Sequence, residues 1–355
     1  MVNVKELRKN LYLENGYLNM PAIIETGVPF IIITGGRGTG KTYGALKYVK
    51  DNNIKFMFLR RTNEQMKTIS SHEYNVFNTI NRKEGTEIYP HTIGRNTIGY
   101  CHSVWNNAKD CYECASAPIG YLASLTGISK MRGFDAESIK ICILDEFCPE
   151  EHEKAIKNED TAVANAYETI NRNRELEGQK PLQFLMLGNA NNIRSKILTG
   201  FGATDIMERM FRKGQNIYLN KDETLLIIYM KNSPIADMKR TTALYKVMAS
   251  TQYGKMALEN EFSMDGVSNI IPQPLKEYRP IVKVGQLTVY RHKSKDLYYI
   301  SPTSGGNVQI YKSDSYDLMR FRRMFRFLES AYINNKILYE STEACLLFVS
   351  YLLNR

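Results

Sequence analysis

Short apolar runs, punctuated by glycines and polar clusters, set the pattern of this chain. Pro29-Phe-Ile-Ile-Ile-Thr34 is a β-branched run that ends in glycines, the pattern of a strand buried on both faces of a parallel sheet. Lys41 to Asp51 reads as a helix, Ile54 to Leu59 as a second strand, and the polar stretch with spaced apolar residues from Thr62 as helix again. This βαβ order predicts an α/β fold. From Thr86 to Ala117 the pattern shifts to alternating pieces such as Thr97 to Val104 around a polar turn at Asn106 to Asp110, which predicts a β-hairpin insertion. The α/β pattern resumes with strand Ile139 to Leu144, a helix through roughly Glu153 to Arg174, and strand Gln183 to Leu187.

Beyond residue 200 the signals weaken. Strand-like pieces fall near Asn216 to Leu219 and Thr224 to Tyr229, and Pro234 to Glu261 reads as two helices with a break near Ser250 and Gly254. Asp265-Gly266 and the prolines at 272, 274 and 280 mark a linker. Strands are predicted at Tyr278 to Lys283, Leu287 to His292, Leu297 to Ser301 and Val308 to Tyr311, then an Arg-rich helix from Asp317 to Tyr332 and an apolar one from Ser341 to Leu352. The expected organisation is an α/β domain over 1–205, a linker or lid region over 206–264, and a second domain over 265–355.

Charge sharpens that division. The net charge is +10, with 25 basic and 22 acidic side chains in residues 1–200 but 13 and 7 in residues 266–355. The C-terminal module is therefore the basic one, suited to an anionic partner such as nucleic acid. Six cysteines in 355 residues do not make a disulfide scaffold, and reduced thiols are expected. The mixed charge of the first residues is not that of a secretory signal. The most apolar stretch, Ala344 to Leu353, is too short for a membrane span. A soluble, non-secreted, intracellular protein is expected.

The chemistry begins at Gly35-Gly36-Arg37-Gly38-Thr39-Gly40-Lys41-Thr42, which matches G-x-x-x-x-G-K-[ST] between a predicted strand and a predicted helix. Glycines let backbone N–H groups approach phosphates, Lys41 places a cation on the β and γ oxygens, Thr42 supplies a Mg²⁺ ligand, and the helix N-terminus adds its dipole. Ile141-Cys-Ile-Leu144 then runs into Asp145-Glu146. Asp145 at the end of a buried strand suits the Mg²⁺ shell, and Glu146 suits the base that polarises water. Asn189, after the strand Gln183 to Leu187, is a candidate for sensing the γ-phosphate, although Asn after Gly is also ordinary turn chemistry. Arg172 and Arg174 end a predicted helix, where they could complement its dipole or act on a neighbouring subunit's site. Arg60 and Arg61 are open between structural ion pairs and site residues. Cys101, His102, Cys111 and Cys114 give a poor zinc signal, because adjacent residues on a strand point to opposite faces.

The ordered set of a P-loop containing Arg37, Asp145-Glu-Phe147, Arg172-Asn-Arg174-Glu175 and Asn189-Ala190 resembles the DNA-packaging ATPases of phi29-type small tailed phages, compact relatives of terminase large subunits. The likeness is carried by residues 30 to 192. It implies an ASCE-type P-loop ATPase domain, a helical linker and a C-terminal RNase H-like domain, assembled as a homomeric ring, a pentamer in the family. It also implies ATP and Mg²⁺ as cofactors, with double-stranded DNA and the viral procapsid or portal as partners. By position, Arg172 matches the trans-acting arginine finger, Glu146 the catalytic glutamate, Asn189 the coupling or sensor residue and Arg37 a nucleotide-contacting or switch residue. Lys130 and Arg132 lie where the family places pore-facing DNA contacts. The expected function is an ATP-driven translocase packaging a viral genome in the host cytoplasm while docked on the procapsid. A nuclease-active terminase, a helicase and a nucleotide-switched scaffold are the alternatives. A two-metal nuclease needs converging carboxylates, whereas the candidate strands Leu287 to His292 and Leu297 to Ser301 contain none and only Asp296 borders them. That leaves Arg320, Arg322, Arg323 and Arg326 as a candidate phosphate-binding surface.

Overall fold

A computed structural model describes residues 2–94, 97–128, 136–149, 156, 158–189, 195–230, 234–248 and 269–353. Contacts divide the chain into two compact units, Met1–Ser263 and Met264–Arg355.

The first unit is built on the run that the sequence marks most strongly. Strand β1 (Phe30–Gly35) has Ile31, Ile32 and Ile33 fully buried. It follows two short helices, α1 (Val4–Lys9) and α2 (Met20–Ile24), and feeds α3 (Lys41–Asp51). Strand β2 (Phe56–Arg60) comes next, then α4 (Asn63–Ile69), whose first turn is closed by a reciprocal capping box between Thr62 and Gln65. Helix α5 (Asn78–Glu84) leads into the expected hairpin, β3 (Ile88–Gly94), β4 (Thr97–Asn106) and β5 (Cys111–Cys114). Strands β6 (Gly120–Ser124) and β7 (Ile141–Asp145), helix α6 (Glu159–Asn171) and strand β8 (Gln183–Asn189) follow. The unit continues through α7 (Lys196–Gly200), α8 (Ala203–Arg212), β9 (Ile217–Leu219), β10 (Leu225–Met230), α9 (Pro234–Arg240) and α10 (Ala243–Met248).

These strands form one sheet in the order β3-β4-β6-β2-β7-β8-β1-β10-β9, with β5 paired to β4. The pairs from β6 to β10 are all parallel, and antiparallel strands flank them on both sides. A parallel sheet must be covered on both faces, which is why its strands read as continuous apolar runs. Among them β2 and β7 are buried at every position.

Several expectations change here. The strand-like pieces expected near Asn216 to Leu219 and Thr224 to Tyr229 are β9 and β10, and they carry the sheet into the segment expected as a linker or lid, since β10 pairs in parallel with β1 and β9 with β10. Strand β6 was not expected; it lies in parallel against β2. The described part of the helix read over Glu153 to Arg174 is α6, and two helices occur after Pro234 but break at Thr241-Thr242. The break expected near Ser250 and Gly254 lies outside the described residues. Cys101 and Cys114, expected as free thiols, are joined as a disulfide with 5.6 Å between Cα atoms. The antiparallel β4-β5 ladder, with Ser103 opposite Cys114, brings them together.

The second unit is a five-stranded sheet backed by helices. Strands β11 (Tyr278–Val284), β12 (Leu287–His292) and β13 (Tyr298–Ser301) form an antiparallel meander. The short strands β14 (Ile310–Tyr311) and β15 (Ile337–Tyr339) pair in parallel with β11 and β13 at opposite edges. The Arg-rich segment expected as one helix is two, α11 (Ser315–Met324) and α12 (Phe327–Ile333), separated at Phe325-Arg326. Helix α13 (Thr342–Leu353) supplies Phe348 and Leu352 to a core shared with Val282, Ile300 and Phe321.

Candidate nucleotide site

The site forms where three neighbouring strands end at one level. The register places Gly35 of β1 beside Asn189 of β8 and Met230 of β10, so the loop from Gly35 to Lys41 leaves the sheet at its carboxyl edge. Ligands of open α/β sheets bind at this edge. Gly40 takes φ +91° as the N-cap of α3, a conformation that side chains other than glycine rarely adopt. The loop is braced from within, Thr39 Oγ1 donating to the Gly36 carbonyl at 2.9 Å.

Lys41 is almost fully buried and turns its ammonium back over the loop. Nζ donates to the Gly36 carbonyl at 2.8 Å and the Gly35 carbonyl at 3.1 Å, with Thr39 Oγ1 at 3.3 Å and Asn189 Oδ1 at 3.4 Å. Burial lowers its pKa to about 8 against the opposing pull of Asp145, and Lys239 lowers it further. Next to it, Thr42 Oγ1 donates to Asp145 Oδ1 at 2.9 Å. The strand-end carboxylate and the Asn189 amide, each more than a hundred residues beyond the loop, therefore meet it at one point.

Arg60, left open by sequence, belongs to this site. At the end of β2 its guanidinium spans both carboxylates, with Nη2 3.2 Å from Asp145 Oδ2 and Nη1 paired with Glu146 Oε2. Burial raises the pKa of Asp145, and Arg60, the Thr42 hydroxyl and Lys41 oppose that rise. Glu146 sits at φ +55° with its side chain 55% exposed at the strand end. Arg61 points elsewhere and pairs with Glu159 at the start of α6, 2.6 Å away and fully buried.

The two arginines after α6 also separate. Arg174 is buried and donates to the carbonyls of Ala136 at 2.7 Å and Glu137 at 3.1 Å, a structural role. Arg172, at the C-cap of α6 with φ +52°, is exposed and does not line the cleft beside the loop. That cleft, about 960 Å³, is bordered by Arg37 to Thr42, Asp145, Glu146 and Asn189, with Leu13 and Tyr17 also lining it and Tyr17 set against Gly40. Lys130 and Arg132 lie outside the described residues.

Sequence reasoning missed Lys239. It comes from α9 and donates to the Arg37 carbonyl; a lone lysine on a short helix two hundred residues away leaves no motif. In the second unit, Asp296 pairs with Lys336 at 2.5 Å and Glu340 accepts from the Ser301 hydroxyl. Among the described residues, no group of three or more His, Cys, Asp or Glu side chains is placed to hold a metal ion, and no helix is long and apolar enough to cross a membrane.

The loop nonetheless fits a nucleotide with Mg²⁺. A Mg²⁺ ion usually takes one or two protein oxygens and completes its shell with phosphates and water, and the Thr42 hydroxyl and Asp145 carboxylate already converge. Fold and loop together define an α/β domain of the P-loop type.

Within that class the similarities are specific. The chain is 26% identical over 239 residues to the DNA packaging protein of Bacillus phage B103, a match covering 66% of this chain and 64% of that protein. It is 24% identical over 249 residues to the DNA packaging protein of Bacillus phage phi29, covering 66% and 62%. The chain thus spans a little under two thirds of the relatives it matches. No family model matches it. Its fold is similar to a chain of the bacteriophage Phi-29 viral genome packaging motor assembly, with TM-score 0.62, 17% identity, and coverage of 94% and 97%. It is also similar to the Phi-28 gp11 DNA packaging motor, with TM-score 0.58, 16% identity, and coverage of 96% and 99%.

Proposed function

We propose that this chain is an ATP-driven double-stranded DNA translocase that packages a viral genome into a preformed procapsid as one subunit of a homomeric ring. The observation that carries the proposal is the convergence of Lys41, Thr42, Asp145 and Glu146 at the sheet edge, in a chain similar to phage DNA packaging proteins.

On this reading Lys41 exchanges loop carbonyls for β and γ phosphate oxygens, which are stronger acceptors for an ammonium. Thr42 and Asp145 would hold Mg²⁺, which supplies neutralisation of phosphate charge. Glu146 leaves Arg60 to take a proton from the attacking water. Arg172, exposed at the end of α6, acts on the site of the next subunit, where an added cation stabilises the charge of the transition state. Pore-facing basic residues, Lys130 and Arg132 among them, grip phosphates without reading sequence. The protein works in the host cytoplasm, docked on the procapsid.

The test is steady-state ATP hydrolysis with and without blunt double-stranded DNA at low and moderate salt. Stimulation by DNA that weakens with salt, and its loss in Glu146→Gln with nucleotide binding retained, is the expected result. Lys41→Ala should abolish turnover, and turnover equal to wild type would remove the proposal. Mixing Lys41→Ala with Arg172→Ala subunits should recover part of the activity; no recovery in mixed rings would end the role in trans.

A further inference from the structure

Two ammonium groups cover three successive carbonyls of the loop. Lys41 takes those of Gly35 and Gly36, and Lys239 takes that of Arg37. Lys239 Nζ also lies 2.9 Å from the point where a Cβ on Gly38 would stand, over the middle of the loop. The approach is fixed by the fold. Strand β10 runs beside β1 to the level of Gly35, and α9 follows with Ile235 buried and Pro234 set against Gly16, which lies in sequence between the cleft-lining Asn15 and Tyr17.

The charge balance at this point is lopsided. Lys41 and Lys239 act on each other unfavourably, and the nearby carboxylates Asp145 and Glu146 are both engaged by Arg60. Burial also lowers the pKa of Lys239. A neutral carbonyl is a weak partner for a desolvated ammonium, whereas a phosphate oxygen makes a charge-assisted bond roughly twice as strong.

We infer that Lys239 is a second phosphate-binding lysine, delivered by α9, which exchanges the Arg37 carbonyl for an oxygen of a bound nucleoside polyphosphate. The inference rests on the nucleotide site proposed above and adds a ligand to it from outside the loop motif. It makes the position of α9 depend on whether phosphate occupies the loop.

The test titrates the full chain with fluorescently labelled ATP, and with inorganic triphosphate as competitor, across a range of salt. Lys239→Ala should weaken both ligands by about tenfold and flatten the dependence of affinity on salt, because one cation fewer meets the phosphates. Lys239→Arg should recover most of both effects. Wild-type affinity in Lys239→Ala overturns the inference, and so does a loss of affinity with the wild-type salt slope, the mark of a lysine that only braces the loop. If Lys41→Ala abolishes binding while Lys239→Ala binds like wild type, the nucleotide site stands and this inference alone falls. If the wild-type chain binds neither ligand, both fall.

Discussion

At the scale of single residues, the tandem Arg60-Arg61 shows what a sequence conveys and what it withholds. Two arginines closing an apolar strand announce buried charge, but adjacent strand residues point to opposite faces, and which arginine serves the site depends on partners far along the chain. Arg60 meets Asp145 and Glu146, while Arg61 meets Glu159. Arg61→Met leaves a carboxylate buried without its cation, and we expect a loss of about 3–5 kcal/mol in urea unfolding. Arg172 and Arg174 divide in the same way. Arg174→Ala should lower stability by about 1–3 kcal/mol through the abandoned carbonyls of Ala136 and Glu137, whereas Arg172→Ala, at an exposed position, should cost less. Equal destabilisation by the two would contradict the assignment. The loop residues Gly35 to Thr42 with Asp145 and Glu146 were legible because their spacing is itself the chemistry. Lys239 was not, because a single contact between distant segments has no spacing to read.

Elements were legible where burial is total. The apolar runs of β1, β2, β7 and β8 could be read directly, since a strand covered on both faces needs apolar residues throughout, and the largely apolar helix α13 was legible from its own run. Helix α13 carries Phe348 at the centre of the second core, so Phe348→Ala should cost about 3–5 kcal/mol, measured by chemical denaturation. The signal failed for β6 and β15, which are three to five residues long and held by parallel neighbours distant in sequence. It also failed for the Arg-rich helix, whose break at Phe325-Arg326 follows no proline or glycine. There the arginines differ in their commitments. Arg322 donates through Nε to the Tyr351 carbonyl at 2.7 Å, and Arg320 lies over the rings of Tyr311 and Tyr316. Arg323 and Arg326 are exposed and are the better candidates for phosphate contact. Replacing both with Gln should leave stability within about 0.5 kcal/mol while weakening binding to DNA in a filter or mobility assay.

At the scale of the molecule, each unit packs its own apolar side chains, the first on both faces of the ten-stranded sheet and the second between the five-stranded sheet and its helices. The change of composition after Phe262 made that division legible, but the size of the first unit was not, because pairing of β10 with β1 is a fact of topology that local pattern does not encode. Residues 264–355, expressed alone, should unfold cooperatively in urea; a structureless fragment would show that its core depends on the rest of the chain. One close approach ties the first unit together. At Gly35 a Cβ would stand 2.6 Å from that of Met230, so any larger residue there must push β10 aside, and with it the helix that brings Lys239 to the loop. In a genetic selection, revertants of Gly35→Ala should therefore be found at codon 230, encoding glycine, which alone removes the opposing Cβ, and not among the other loop residues. The inheritance of a nucleotide-binding loop would then be bound to a codon that no motif search would include in it.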